Sequence, residues 1–325
     1  MVRVAAVRPS AAIEGGRIVL DVEQFSLRDP QLPDVRIGQA PARVAYASPT
    51  RIALIVPAAV EGGRQPIRIS GGADAAPYVD IGTPLATGLH QVDNPVFDEE
   101  GNLFVTYSGT RGQQVPVSIF RVRPSGTRET FSSGIVNPTS MAFGPDGRLY
   151  VSSRFEGTIY RVGRDGGVET FATDLGVACG LAFDRDGMLF VGDRSGTVFR
   201  VDRDGRAAQF STLPSSVAAF HLAISPDGEL YVTAPTFSTN DAVYRVDHGG
   251  RAEVYCGGFG RPQGLAFDRS GTLYVVEALA GVSGLYRLNG GAPELVVSGP
   301  GLVGAAFGPG GELVVTSNDT AYRIS

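Results

Sequence analysis

No lysine occurs among the 325 residues, and all 28 basic side chains are arginine. That excludes a Schiff-base or other lysine nucleophile and the phosphate-binding lysine of a P-loop. Tryptophan is also missing, and with it the best aromatic platform for stacking a ligand. The two cysteines, Cys179 and Cys256, form no C-x-x-C pair, so both are expected as reduced thiols. No run approaches the roughly 18 apolar residues of a transmembrane helix. The opening stretch, MVRVAAVRPSAAIEGG, lacks the apolar region of a secretory signal. A cytoplasmic chain with no membrane partner is expected. A formal net charge of −5 leaves no basic excess to neutralise phosphates, which argues against nucleic acid as partner.

Glycine and proline, by contrast, are plentiful, at 44 and 21 residues. They are dispersed rather than periodic, which means many turns and favours short strands. From residue 93 one pattern recurs six times: an apolar strand, a Gly-containing turn and a second strand. The copies are NPVFDEEGNLFV (94–105), TSMAFGPDGRLYV (139–151), CGLAFDRDGMLFV (179–191), HLAISPDGELYV (221–232), QGLAFDRSGTLYV (263–275) and VGAAFGPGGELVV (303–315). Third strands follow as SIFRV (118–122), TIYRV (158–162), TVFRV (197–201), AVYRV (242–246), GLYRL (284–288) and TAYRI (320–324), then fourth strands such as VETFAT (168–173). A spacing of roughly 40 residues suits four short strands per repeat. The sixth copy lacks a fourth strand, but VDIGTPLATGL (79–89) resembles one placed before the first. The expected fold is all-β: a six-bladed β-propeller over 79–325, its last blade completed by 79–89, so that no long edge stays unpaired.

Residues 1–78 do not carry the repeat. VRPSAAIEGGRIVLDVEQF (7–25) and VRIGQAPARVAYASPTRIALIVP (35–57) have a Pro-containing first strand, a Gly-Gly turn, a V-x-I-G strand and a terminal V-P. In these features the segment is similar to the immunoglobulin-like TIG (IPT) domains. The resemblance implies a β-sandwich that acts as a spacer or binding appendage. The repeats resemble the overlapping NHL-repeat and senescence-marker-protein/gluconolactonase families, through RPQGLAFD (261–268), CGLAFD (179–184) and DNPVFD (93–98).

The repeats serve as one another's control: a residue present in every copy serves the blade, and one unique to a copy is a candidate for a site. The row Phe97, Phe143, Phe183, Phe267 and Phe307, with Ile224 in the fourth copy, reads as core between blades. The row Arg121, Arg161, Arg200, Arg245, Arg287 and Arg323 reads as architecture. Asp184, Asp186 and Gly187 imitate the start of a calcium loop, but the glutamate at its twelfth position is missing, so a tight turn is expected. Serine-hydrolase, zinc-protease, dinucleotide and NTPase signatures are absent from the sequence.

In a propeller the first strand starts, and the second ends, at one face of the ring. Four residues before the core Phe stand Asp93, Thr139, Cys179, Phe220, Gln263 and Val303; the second strands end at Tyr107, Ser153, Asp193, Ala234, Glu277 and Ser317. Insertions at 108–118, 234–241 and 277–284 fall on the same face. The gluconolactonase resemblance implies a divalent cation, calcium or similar, held by Glu, Asn and Asp. The matching positions here are Asp93, Phe220 and Gln263, which leaves Asp93 as the one candidate metal ligand. The residues themselves offer another constellation. Asp93, His221 and Glu277 are the candidate catalytic residues, with His221 beside a carboxylate as a general base. Asn94, Tyr107, Asn137, Arg154, Asp193, Arg194, Arg261 and Gln263 are the candidate ligand-binding residues, arginine being suited to carboxylates. A plainer account makes Asp193–Arg194 and Glu277–Arg261 rim ion pairs. The expected partner is a polar small molecule of sugar-acid or lactone kind, with possible hydrolysis; the alternative is a protein or peptide held on an NHL-type platform.

Overall fold

The computed structural model describes residues 2–23, 25, 32–70 and 76–325. No helix occurs among them, so none is long and apolar enough to cross a membrane. The repeats form four-stranded antiparallel meanders in which sequence neighbours pair in order. Repeat 2 is typical: Pro138–Phe143, Leu149–Ser153, Thr158–Val162 and Val168–Ala172 lie side by side. Five such sheets stand separately.

The strands of repeat 5, Pro262–Phe267, Leu273–Glu277, Gly284–Leu288 and Glu294–Ser298, pair in the same order but do not stand alone. Ala11–Ala12 lies parallel to Val297–Ser298 on one side and to Asp80–Ile81 on the other. This two-residue strand fuses repeat 5 with the N-terminal strands into one sheet of 12 strands. Five separate blades, rather than the six expected, result from that stitch.

The expected two-sheet sandwich at the N-terminus is likewise met as one continuous sheet. Ala40–Ala47 is long enough to pair with Val35–Ile37 at one end and Arg51–Ile55 at the other, bending at a register shift between Val44 and Tyr46. The strands on both sides of that bend supply one apolar core, including Ile18, Leu20, Ile37, Ile52, Leu54 and Ile67. The closing segment divides similarly. Thr83–Ala86 pairs antiparallel with Ala321–Ile324 and completes the last meander, whereas Tyr78–Ile81 belongs to the N-terminal sheet.

The repeated rows explain the packing. Phe143, Phe183, Phe267 and Phe307 each meet an aromatic ring of the preceding repeat's second strand, at centroid distances of 5.4, 4.8, 5.2 and 4.9 Å. Arg121, Arg161, Arg245 and Arg287 pair with Glu129, Glu169, Glu253 and Glu294 on their own fourth strands. The calcium-like aspartates are turns. Asp184 Oδ1 accepts from the amides of Asp186 and Met188, and Asp98, Asp202, Asp247 and Asp268 accept from the same relative positions.

Candidate functional site

Where the first strands converge, neighbouring repeats approach to backbone contact. A Cβ on Gly180 would lie 2.6 Å from the Phe220 carbonyl oxygen, and one on Gly304 would lie 2.6 Å from that of Asp93. The six repeats therefore carry small residues at this level, Ser140, Gly180, Gly264 and Gly304, with two departures: Asn94 and His221. Both reach across to other repeats.

Asn94 Nδ2 donates to the Leu265 carbonyl (2.8 Å), and its Oδ1 accepts from the Ala305 amide (3.0 Å). The His221 ring places Nδ1 2.6 Å from Asp93 Oδ1, with side-chain exposures of 0% and 2%. Asp93 Oδ1 also accepts from the Asn94 amide (2.7 Å). Together these residues tie repeats 1, 4, 5 and 6 into a buried polar floor. One of its fully buried side-chain atoms lacks a partner among the described residues: His221 Nε2.

The residues above this floor divide by what they hold. Glu277, 2% exposed, accepts from three amides: Gly260 (2.6 Å), Arg261 (2.8 Å) and Leu279 (2.6 Å). Asp193 Oδ1 accepts from the Val177 amide (2.8 Å), and Oδ2 accepts from the Ser195 hydroxyl. Ser153, at the same place in repeat 2, donates to the Val136 carbonyl (2.6 Å). One job, gripping the loop that leads into the first strand, is done by three side chains. Asn137, in the left-handed region at φ 48°, does the reverse. Its amide donates to the carbonyls of Ser108 (2.5 Å) and Thr110 (2.8 Å) and accepts from the Gly112 amide (2.6 Å), pinning the 108–118 insertion.

The cations are placed differently. Arg154 is half-buried, Arg194 and Arg261 are exposed, and none forms an ion pair among the described residues. Burial, opposed by Cys179 and assisted by the charge of Arg194, holds Arg154 below its ordinary value. His90, against the edge of the Tyr107 ring at 6.3 Å, is lowered by burial and by the charge of Arg154. Cys179 is buried and its thiol is pushed up to about 11, mainly by desolvation. Both cysteines are free.

No protein-family model matches the chain, and no curated protein matches it. Solved structures do. An auxiliary nutrient binding protein from Bacteroides ovatus ATCC 8483 is 15% identical with a TM-score of 0.58, over 100% of this chain and 97% of that one. A protein provisionally assigned as a gluconolactonase is 19% identical with a TM-score of 0.60, over 74% and 90%. Virginiamycin B lyase from Staphylococcus aureus, solved with quinupristin, is 11% identical with a TM-score of 0.54, over 100% and 99%. The chain is a β-propeller.

At these identities the likeness is one of fold, and the chemistry of this propeller rests on its own residues. They do not fit the divalent cation of the gluconolactonase resemblance. Asp93 Oδ1 is engaged by His221 and the Asn94 amide. Phe220 is 0% exposed, its Cβ within contact distance of where a side chain on Gly192 would stand, inside an apolar cluster. Among the described residues no three His, Cys, Asp or Glu side chains are grouped to hold a metal ion.

Several expected site residues thus have other work in the propeller. Glu277 and Asp193 clasp loops, Asn137 pins an insertion, and Asn94 bridges strands. The Asp193–Arg194 and Glu277–Arg261 ion pairs do not form: Arg261 meets Glu277 through its backbone amide, and the Arg194 amide donates to the Val177 carbonyl (3.2 Å). Gln263 is buried, and its carbonyl accepts from the Thr233 hydroxyl (2.6 Å). The structure does bring Asp93 and His221 together, and it leaves Arg154 and Tyr107 half-buried and Arg194 exposed. His90 is not among the expected site residues: it lies outside the repeated strands, too far in the pattern from His221 and His248 for a metal cluster. Its one signal was its place on the segment leading into repeat 1.

Proposed function

We propose that the chain binds a polar small molecule, of sugar-acid or lactone kind, at the channel mouth above the Asp93–His221 pair. The reading takes the meander 262–298 as a sixth blade, residues 79–325 as the propeller and 1–78 as an immunoglobulin-like appendage. His221 Nε2 carries it: a buried ring nitrogen, its partner nitrogen fixed by a carboxylate, with no protein group to bond. Such an atom accepts a hydrogen bond from a ligand hydroxyl or takes a proton from an attacking water. Asp93 then orients the ring and stabilises the imidazolium. No step runs through a metal.

The test is calorimetry with aldonolactones and aldonates, with and without chelator, on the wild type and His221→Gln. Binding that survives chelation and weakens about tenfold in the variant, as the loss of one good hydrogen bond to a buried group requires, is the expected result. Binding abolished by chelator alone would refute it. Phe237 favours a second reading. At 94% exposure on the 234–241 insertion, it suits a platform for a protein or peptide, whose capture would survive His221→Gln.

A further inference from the structure

Two features of the rim stand apart from the floor. The first is charge without counter-charge. Arg154 and Arg194 come from equivalent positions just past the second strands of repeats 2 and 3. Two carboxylates of the same face are engaged by other groups: Asp193 by the Val177 amide and Ser195, and Asp93, through Oδ1, by His221 and the Asn94 amide. Elsewhere in the repeats, Arg121, Arg161, Arg245 and Arg287 each hold a glutamate. In a chain of net charge −5 these two guanidinium groups, like that of Arg261, have no ion pair among the described residues.

The second feature is apolar surface beside them. Phe155, which follows Arg154, is 52% exposed, its ring set against Gly112 of the pinned insertion. Val177, whose carbonyl accepts from the Arg194 amide, is 37% exposed. A solvent-facing ring and a β-branched side chain beside two unpaired cations match a ligand with both characters. The guanidinium forks suit a planar oxyacid, and the apolar pair suits a hydrocarbon body.

We infer that the rim between repeats 2 and 3 binds an amphipathic carboxylate, its acid group on Arg154 and Arg194 and its alkyl or aryl body on Phe155 and Val177. This rests on the reading of the mouth as a small-molecule site. It keeps the small-molecule site of that reading and replaces its sugar-like acid with one that has a hydrocarbon body.

Calorimetry with four probes tests it: octanoate, 4-phenylbutyrate, the uncharged octanamide, and gluconate, which has the charge without the apolar body. The two amphipathic acids are expected to bind about tenfold more tightly than octanamide or gluconate. Arg194→Gln, an exposed substitution, and Arg154→Gln should each remove most of that preference and leave octanamide unchanged. Phe155→Ala should weaken both acids and octanamide together. Gluconate or gluconolactone binding as tightly as octanoate, and indifferent to both arginine substitutions, would overturn this inference and leave the small-molecule reading standing. Failure of all four probes and of gluconolactone, with the wild type folded by its melting transition, would overturn both.

Discussion

The floor of the channel and its rim are built from the same kinds of residue and treat them in opposite ways. On the floor, Asp93 and His221 are buried and Asn94 half-buried, all three turned onto one another or onto backbone from other repeats. At the rim, Glu277 and Asp193 are also engaged, but Arg154 and Arg194 have no carboxylate among the described residues. The difference teaches that variation among repeats is not itself a mark of function. At three of the six second-strand ends, Ser153, Asp193 and Glu277, the varying side chain grips the loop that leads into its own first strand. The positions left for a ligand are those whose polar atoms the protein does not satisfy.

The largest effect that tests this contrast belongs to the floor. Asp93→Ala strips the buried His221 of its partner, and breaking such a buried pair is expected to cost about 3–5 kcal/mol in urea unfolding. His221→Ala should recover part of that in the double variant, since the two side chains act as a unit. Additive losses would show that they do not. A smaller loss, about 1–3 kcal/mol, is expected for Glu277→Ala, which leaves three amides without their acceptor. Unchanged stability there would return Glu277 to the candidate catalytic residues. The smallest effect belongs to the rim. Arg154→Gln should shift stability by no more than about 0.5 kcal/mol. It also removes a positive charge that disfavours the protonated His90 ring, so the His90 titration followed by NMR should move to higher pH. A fall, or no movement, would separate the two groups and break up the rim.

Much of the fold was legible because six copies check one another. The Phe row, the Arg row and the aspartate turns each recur, and each does in the structure what its recurrence implied. The site was less legible. That His221 stands beside a carboxylate followed from the pattern, and so did the misfit of Phe220 and Gln263 to a metal. Which carboxylate, and whether it faces solvent, did not. Asp93 and His221 occupy adjacent rows of the pattern, not the same one, and meet only because the inner strands close to backbone contact. That Glu277 and Asn137 hold loops was illegible for a related reason. Burial of a carboxylate or an amide under its own loop leaves no periodic trace, since the loop amides it accepts from carry no side-chain signature. The stitch at Ala11–Ala12 was invisible too: two alanines pair through their backbone alone.

The antiparallel pairing of Thr83–Ala86 with Ala321–Ile324 bears on how the molecule is made. During synthesis, repeats 1 to 5 can each pair locally as they emerge, but the strand at 83–86 must wait, unpaired, until residue 324 has been added. A shorter delay holds for one edge of Ala11–Ala12: its other edge meets Asp80–Ile81 early, but Val297–Ser298 comes late. Early segments of the chain thus act as stored halves of late sheets. A chain cut short before the final repeat would leave the strand at 83–86 without its partner, a substrate for chaperones or for pairing with its own kind.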